Sequence, residues 1–138
     1  MKSFFKNPLT LWFKWYLTSM ILKLQNKNLK IGYLSTVQNV KFGNYNTIYN
    51  NVKISNTTIG DYVYIQNTTQ IQSSTIGNFC SIGANVKVGL GIHPTTYFTT
   101  FPSFFSIRKQ CQVSFVDKNY FKETGSNYIG NDVWIGDN

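Results

Sequence analysis

Residues 59–87 read IGDYVYIQNTTQIQSSTIGNFCSIGANVK, and this stretch divides into blocks that each begin with isoleucine. The blocks contain 6, 6, 5, 6 and 6 residues, so the pattern recurs after 17 residues. The preceding residues 42–58 divide in the same order of 6, 6 and 5. A fixed internal period of this kind is the sequence signature of a repeat architecture, and an ordinary β-sandwich does not produce it.

Residues that lie 17 apart are alike in type from about residue 31 to residue 88. The pattern predicts a β-helix in which each turn has three short faces and stacks on the next turn as a parallel neighbour. We expect one aliphatic residue per face to point inward. Glycine and then Asn or Asp follow the first aliphatic residue of a turn, which predicts corners with positive φ. The matched ranks are Phe42/Ile59/Ile76, Gly43/Gly60/Gly77, Asn44/Asp61/Asn78, Tyr45/Tyr62/Phe79, Ile48/Ile65/Ile82 and Ile54/Ile71/Val88.

The repeats stop after Val88 and resume at Ile129, where the sequence matches the turn that begins at Ile76. We therefore expect residues 89–128 to loop out of one corner of the coil, and long insertions of this kind are usually functional. This excursion holds His93, the single histidine of the chain. Imidazole titrates near neutrality, so His93 is a candidate general base, and an exposed loop histidine without a role is the alternative.

Basic residues are concentrated in the first part of the chain. Among 138 residues there are 13 basic and 5 acidic ones, for a formal net charge of +8. Eight lysines and no acid precede Asp61, so the whole net charge lies there and the chain from Asp61 onward has no net charge. This surplus suits anionic lipid, an anionic glycan or cofactor phosphates, and a solubilising surface is the alternative. Cys80 and Cys111 have no metal-type spacing and predict neither a zinc site nor a disulfide framework, and we expect Cys80 in the core.

Residues 1–30 lack the repeat and form a separate aromatic and basic segment, in which Pro8 is suited to open an amphipathic helix. Apolar residues cover most of the predicted helix, but the run is shorter than the roughly 20 apolar residues of a membrane span. Residues 8–24 combine two Trp, one Tyr and two Lys, which indicates peripheral contact with a membrane interface. Packing on a neighbouring subunit is the alternative. Without a recognisable signal peptide, we expect a cytoplasmic protein, membrane-associated if the helix binds lipid.

Residues 76–94, IGNFCSIGANVKVGLGIHP, resemble the xenobiotic and polysaccharide O-acetyltransferase branch of the hexapeptide-repeat acyltransferases. TTFPSF at residues 99–104 is similar to the aromatic-proline segment that follows the histidine in that branch. IGNDVWIG at residues 129–136 is similar to the branch's signature on re-entry to the coil. The resemblance covers about residues 31–138 and does not include the N-terminal helix.

The resemblance implies an all-β fold over residues 31–138, a left-handed parallel β-helix that forms a homotrimer with active sites between subunits. It implies acetyl-CoA as cosubstrate and a hydroxyl of a sugar or polysaccharide precursor as acceptor, with no metal and no nucleic-acid partner expected. His93 occupies the position of the family's catalytic histidine, and Trp134 that of the tryptophan that borders the CoA and acceptor site. Without the resemblance, packing of Trp134 beneath the excursion is as good an interpretation as contact with a ligand.

The repeat breaks off at Asn138, two residues after Gly136 and within a hexapeptide. Members of the family continue for several more turns, which carry most of the wall of the CoA site. We therefore expect a chain truncated at the C-terminus. Because an open solenoid end exposes apolar surface and strand edges, we expect this form alone to be poorly soluble and to bind acetyl-CoA weakly.

Two other functions stay open. One is an antibiotic (xenobiotic) O-acetyltransferase, although the basic aromatic N-terminus favours a membrane-associated glycan acceptor. The other is a non-enzymatic β-helix that binds a surface, an interpretation suggested by the threonine-rich segments. A flat binding face needs the same residue at the same rank in every turn. Thr58 and Thr75 match in this way, but Thr68 meets Asn51 and Asn85, so the sequence predicts a broken array.

Overall fold

The computed structural model describes residues 7–138, which form a helix followed by a coil of short parallel strands. The first six residues of the predicted N-terminal segment lie outside the described residues. The elements are helix α1 (Pro8–Gln25) and strands β1 (Lys30–Ile31), β2 (Thr36–Phe42), β3 (Thr47–Ile48), β4 (Lys53–Ile59), β5 (Tyr64–Ile65), β6 (Gln70–Gln72), β7 (Ser74–Ile76), β8 (Ser81–Ile82), β9 (Lys87–Val88), β10 (Asn127–Ile129) and β11 (Trp134–Ile135), with a short 3-10 helix at Pro102–Phe104.

The strands form a parallel β-helix with three faces per turn. The first face is a five-stranded sheet in the order β1-β3-β5-β8-β11. Strands β2 and β4 each run along two faces. Their first halves form the second face together with β6 and β9, and their second halves form the third face together with β7 and β10. Up to the excursion, paired residues lie 17 apart, as Ile48 and Ile65 do. The predicted parallel coil and its register are therefore confirmed.

The core is built from columns of residues that stack turn upon turn. Ile48, Ile65 and Ile82 form the predicted inward column and are at most 1% exposed. The coil has more inward columns than the one per face that we predicted, because Val63 and Cys80, two positions before Ile65 and Ile82, are also buried. Side chains of an extended chain alternate with a period of two, so both positions face the same side. Burying each isoleucine contributes about 1.5–3 kcal/mol.

Glycine recurs at the same corner position of successive turns, but for a reason other than the predicted one. Positive φ falls not at Gly60 and Gly77 but two residues later, at Tyr62 (58°) and Phe79 (60°). A Cβ on Gly60 would lie 2.8 Å from the carbonyl carbon and 2.9 Å from the carbonyl oxygen of Gly77 in the next turn. The glycine is required because the two backbones approach too closely for any side chain.

Side-chain oxygens at the same corner connect successive turns. Asp61 Oδ1 accepts the backbone N–H of Asn44 at 2.6 Å, and Asn78 Oδ1 accepts that of Asp61 at 2.7 Å. Asn131 Oδ1 accepts the N–H of Asn78 at 2.8 Å, so the ladder continues across the excursion. Asn and Asp occupy this rank because a short side chain with an oxygen acceptor satisfies a corner N–H that no strand pairs.

Helix α1 begins at Pro8, the residue that the sequence predicted to open it. Asn7 caps the helix: its side chain accepts the backbone N–H of Thr10, and the Thr10 hydroxyl accepts the N–H of Asn7. This reciprocal pair satisfies N–H groups that lack a partner within the helix. The helix ends at Gln25, five residues before the predicted end of the N-terminal segment.

One side of α1 covers the first end of the coil. Trp15 Nε1 donates to the carbonyl oxygen of Gly32 at 2.9 Å, and its ring meets Tyr33 edge-on at 5.1 Å. Leu22 packs against the core, and Ser19 is buried. The apolar end of the coil is thereby covered, as solenoids require. No helix of the described part combines the length and hydropathy needed to cross a bilayer.

The excursion leaves the coil after β9 and returns at β10, at the corner between the second and third faces. It spans residues 89–126, two residues fewer than the predicted 89–128, because pairing resumes before Ile129. Asn127 and Tyr128 already pair with Ser74 and Thr75 of β7. The return strand is therefore anchored by backbone pairing before the aliphatic repeat reappears.

Candidate functional site

His93 lies at the base of the excursion, with an exposed side chain. Its Nδ1 is 2.9 Å from the backbone carbonyl oxygen of Thr100. A carbonyl oxygen can only accept, so Nδ1 carries the proton of the neutral imidazole and Nε2 is left with a lone pair. The ring also meets Phe105 edge-on, with centroids 6.3 Å apart. These contacts hold the imidazole in the tautomer that a general base acting through Nε2 requires.

The excursion has a small core of its own. Phe105 is 1% exposed and meets Tyr97 and Phe121 edge-on, with centroids 6.4 Å and 5.7 Å apart. Tyr97 and Phe121 also meet each other at 5.8 Å. Such aromatic pairs favour edge-to-face geometry and order the segment beyond their apolar burial. His93 is thus attached to a packed unit, although the sequence in this region has no repeat that predicts one.

Glu123 connects distant parts of the excursion and was not among the predicted site residues. Its Oε1 accepts from the Ser106 hydroxyl at 2.6 Å and lies 3.6 Å from Arg108 Nε, and its Oε2 accepts from Gln110 Nε2 at 2.5 Å. Its backbone oxygen accepts the N–H of Ile92, next to His93, at 2.9 Å. No sequence spacing links these residues, so only the folded chain identifies Glu123 as their common partner.

A cavity of about 480 Å³ lies between the excursion and the coil. A neighbouring groove of about 270 Å³ runs over the second face of the coil and is lined by polar residues such as Lys53 and Gln70. Gln72 and Leu90 line both spaces, so the groove adjoins the cavity. The residues that line the cavity include Gln72, Leu90, His93, Arg108, Gln110 and Glu123.

Trp134 lies on β11, in the sheet of the first face, and its side chain is 78% exposed. It is therefore not packed beneath the excursion. It is also not part of the cavity that His93 lines, since His93 follows β9 on the second face. Within one chain the structure does not bring the two predicted site residues together, and each faces a different side of the coil.

The exposed threonines do not form a continuous surface. On the third face, Thr58 and Thr75 stack, but Lys41 precedes them and Tyr128 follows them in the same rank. Thr57 and Thr69, which neighbour Thr58 and Thr68 in the chain, are buried, with 3% and 0% exposure. Their hydroxyls donate to the backbone oxygens of Ser55 and Gly83. The coil accordingly lacks the flat, repeated face that a threonine-based surface binder needs.

Cys111 is a second residue of the excursion whose side chain could be reactive. Its Sγ is exposed and lies 3.0 Å from the hydroxyl of Ser103. This hydrogen bond, with a smaller contribution from the backbone at Val113, lowers the pKa of the Cys111 thiol below its usual value. Across residues 7–138, no group of three or more His, Cys, Asp or Glu side chains is placed to hold a metal ion.

Comparison with known proteins does not assign a family. No family model, no curated protein and no solved structure matches this chain. The features that bear on function are the sequence motifs around His93 and Trp134 and the geometry of the excursion, the cavity and the groove.

Proposed function

We propose that this chain is a hexapeptide-repeat O-acetyltransferase with a left-handed coil, which transfers acetyl from acetyl-CoA to a hydroxyl of a sugar or polysaccharide precursor. One observation carries the proposal: His93 donates through Nδ1 to Thr100 O, which leaves Nε2 as a base beside a cavity of about 480 Å³. The hexapeptide register and the motifs IGNFCSIGANVKVGLGIHP and IGNDVWIG add the family resemblance.

In the proposed mechanism, His93 accepts the proton of the acceptor hydroxyl as its oxygen attacks the thioester carbonyl. The tetrahedral intermediate collapses, the C–S bond breaks, and the imidazolium returns its proton to the leaving CoA thiolate. The products are the acetyl ester and free CoA, and no acyl-enzyme is needed. General base catalysis of this kind contributes about 10²–10⁴-fold. Holding both substrates together in the cavity lowers the entropic part of the barrier.

The groove on the second face supports a glycan acceptor over a small antibiotic. It has a volume of about 270 Å³ and adjoins the His93 cavity, and Thr36, Ser55 and Gln70 supply hydroxyl and amide groups along it. Lys53 adds a positive charge. An extended chain of sugar hydroxyls can form hydrogen bonds along such a surface, whereas a compact drug would occupy only the cavity.

The separation of His93 and Trp134 supports a homotrimer. Trp134 is on the first face and His93 is at the corner between the other two faces, so one site that uses both takes them from two copies of the chain. An exposed tryptophan is also a frequent interface residue. Three copies around an axis would give three equivalent sites.

The experiment that tests the proposal measures the CoA thiol released from acetyl-CoA with a panel of oligosaccharides and a panel of hydroxyl-bearing antibiotics. We expect release with oligosaccharides and an acetyl ester on the acceptor by mass spectrometry. Release with antibiotics alone would favour the xenobiotic acetyltransferase instead. Because this form alone is expected to bind acetyl-CoA weakly, the decisive measurement uses the chain extended by further turns of the coil. The absence of acetyl-CoA binding by that extended form, together with the absence of transfer to either panel, would overturn the assignment to the acyltransferases.

A further inference from the structure

Helix α1 turns its most apolar side away from the coil. Trp15, Ser19 and Leu22 face the coil, and at about 100° per residue the opposite side of the helix lies near Phe13 and Leu17. This outward face consists of six large apolar side chains, all exposed: Leu9, Phe13, Leu17, Met20, Ile21 and Leu24. Leu9 and Leu24, at its two ends, are 79% and 83% exposed. The arrangement is the reverse of that of an ordinary surface helix, whose apolar side faces the core.

Charged and aromatic side chains border this outward face. Lys14 and Lys23 are exposed and lie on opposite margins, each about 90° from the centre of the face. Trp12 and Tyr16 lie on the Lys23 side and stack with ring centroids 5.4 Å apart. The helix sequence contains no acidic residue. An apolar stripe between lysines, with Trp and Tyr at its edge, has the distribution that suits the boundary between lipid acyl chains and headgroups.

We propose that α1 lies flat on an anionic membrane surface, with the outward face in the headgroup and acyl-chain boundary and with Lys14 and Lys23 at the level of the phosphates. The coil covers the other side of the helix through Trp15 and Leu22, so the outward face is the side that a bilayer can reach. Anionic lipid neutralises the two lysines. A second copy of α1 on this face would instead bring like charges together. The proposal does not depend on acetyl transfer.

The test begins with co-sedimentation of the full chain with vesicles of phosphatidylcholine and phosphatidylglycerol. The variant Phe13→Ser/Leu17→Ser/Ile21→Ser changes exposed residues only, so the fold should persist by circular dichroism. We expect it to lose at least about tenfold in partitioning. The matched control Phe98→Ser/Ile107→Ser/Val113→Ser removes three exposed apolar side chains from the excursion and should bind as the native chain does. Equal losses in both variants, or no loss in either, would overturn the proposal.

The charge component is tested separately. The variant Lys14→Gln/Lys23→Gln should weaken binding by about fivefold per lysine, and high salt should weaken binding by the native chain. The control Lys41→Gln/Lys122→Gln removes two exposed lysines outside α1 and should have a much smaller effect. Binding that is equally strong to pure phosphatidylcholine would overturn the anionic requirement. If the native chain ignores vesicles while the Phe13→Ser/Leu17→Ser/Ile21→Ser variant dissociates an oligomer in sedimentation velocity, the face belongs to a subunit contact and the proposal is wrong.

Discussion

The imidazole Nδ1 of His93 lies 2.9 Å from the backbone carbonyl oxygen of Thr100, seven residues further along the excursion. Because the partner is a backbone group, no side-chain substitution removes it, and the orientation of the ring depends on the fold of the segment between the two residues. Buried Pro94 lies within that segment, and buried Phe105 meets the ring from outside it. The contact assigns the proton to Nδ1 and gives His93 a specific chemical role to test.

The first prediction concerns this role. In a form extended by further turns of the coil, His93→Ala should lower kcat for acetyl transfer by at least about 10²-fold while leaving the KM for acetyl-CoA nearly unchanged, because the imidazole acts on the acceptor proton. Steady-state kinetics with both substrates varied provides the measurement. The His93 side chain is exposed, so thermal unfolding should change little, and this serves as the control for folding. A kcat equal to that of the native chain would remove His93 from the mechanism.

The second prediction concerns the close approach of successive turns. Gly60→Ala should lower the free energy of unfolding by about 1–3 kcal/mol, because the new Cβ would lie 2.8 Å from the backbone of Gly77. Gly125→Ala is the matched control, since a Cβ there meets nothing within 4 Å. Urea unfolding followed by circular dichroism compares the two. Similar midpoints for both variants would contradict the proposed reason for glycine at this rank.

The third prediction concerns the ladder of side-chain oxygens. Asp61→Ala should cost about 1 kcal/mol of unfolding free energy, since the N–H of Asn44 loses an acceptor at 2.6 Å. Asp61→Asn should retain most of the stability, because its amide oxygen can accept the same N–H, as Asn78 does one turn later. The comparison uses chemical denaturation at one pH. An Asp61→Asn variant as unstable as Asp61→Ala would mean that the charge matters and the acceptor does not.

The fourth prediction concerns the Cys111 thiol. Its pKa is lowered, mainly by the hydrogen bond with Ser103, so the native chain holds more thiolate than an ordinary cysteine at any pH between the two pKa values. Alkylation by iodoacetamide, followed over pH by mass spectrometry, should have its midpoint below the usual thiol range. Cys80 is fully buried and should not react in the folded chain.

A pair of serine variants separates the hydrogen bond from general loosening of the excursion. Ser103→Ala should raise the midpoint of Cys111 alkylation, because the thiol loses the hydroxyl contact that lowers its pKa. Ser114→Ala is the control, since that hydroxyl bonds to backbone oxygens of Ser106 and Val116 and does not contact Cys111. A midpoint that rises equally in both variants would show that the order of the loop, and not Ser103, lowers the pKa.

The coil itself was predictable from the sequence. Each turn repeats the residue types of the turn before it, so the register of Ile48, Ile65 and Ile82 follows from counting, and so does the position at which the excursion leaves. Burial of Cys80 follows from its rank beside Val63. The register and the burial can be predicted because the contacts of a repeat join equivalent positions, and each equivalent position recurs several times in the sequence.

Contacts outside the repeat each occur only once, and only the tertiary structure determined which residues they join. The sequence identified His93 and Trp134 but could not name Thr100 as the partner of His93, nor show that the two predicted residues lie on different sides of the coil. It contained no signal for Glu123, which joins residues from distant parts of the excursion. Only the packing of Trp15 against the end of the coil determined which side of α1 faces outward. These relationships depend on where the chain folds back on itself, and no period in the sequence records that.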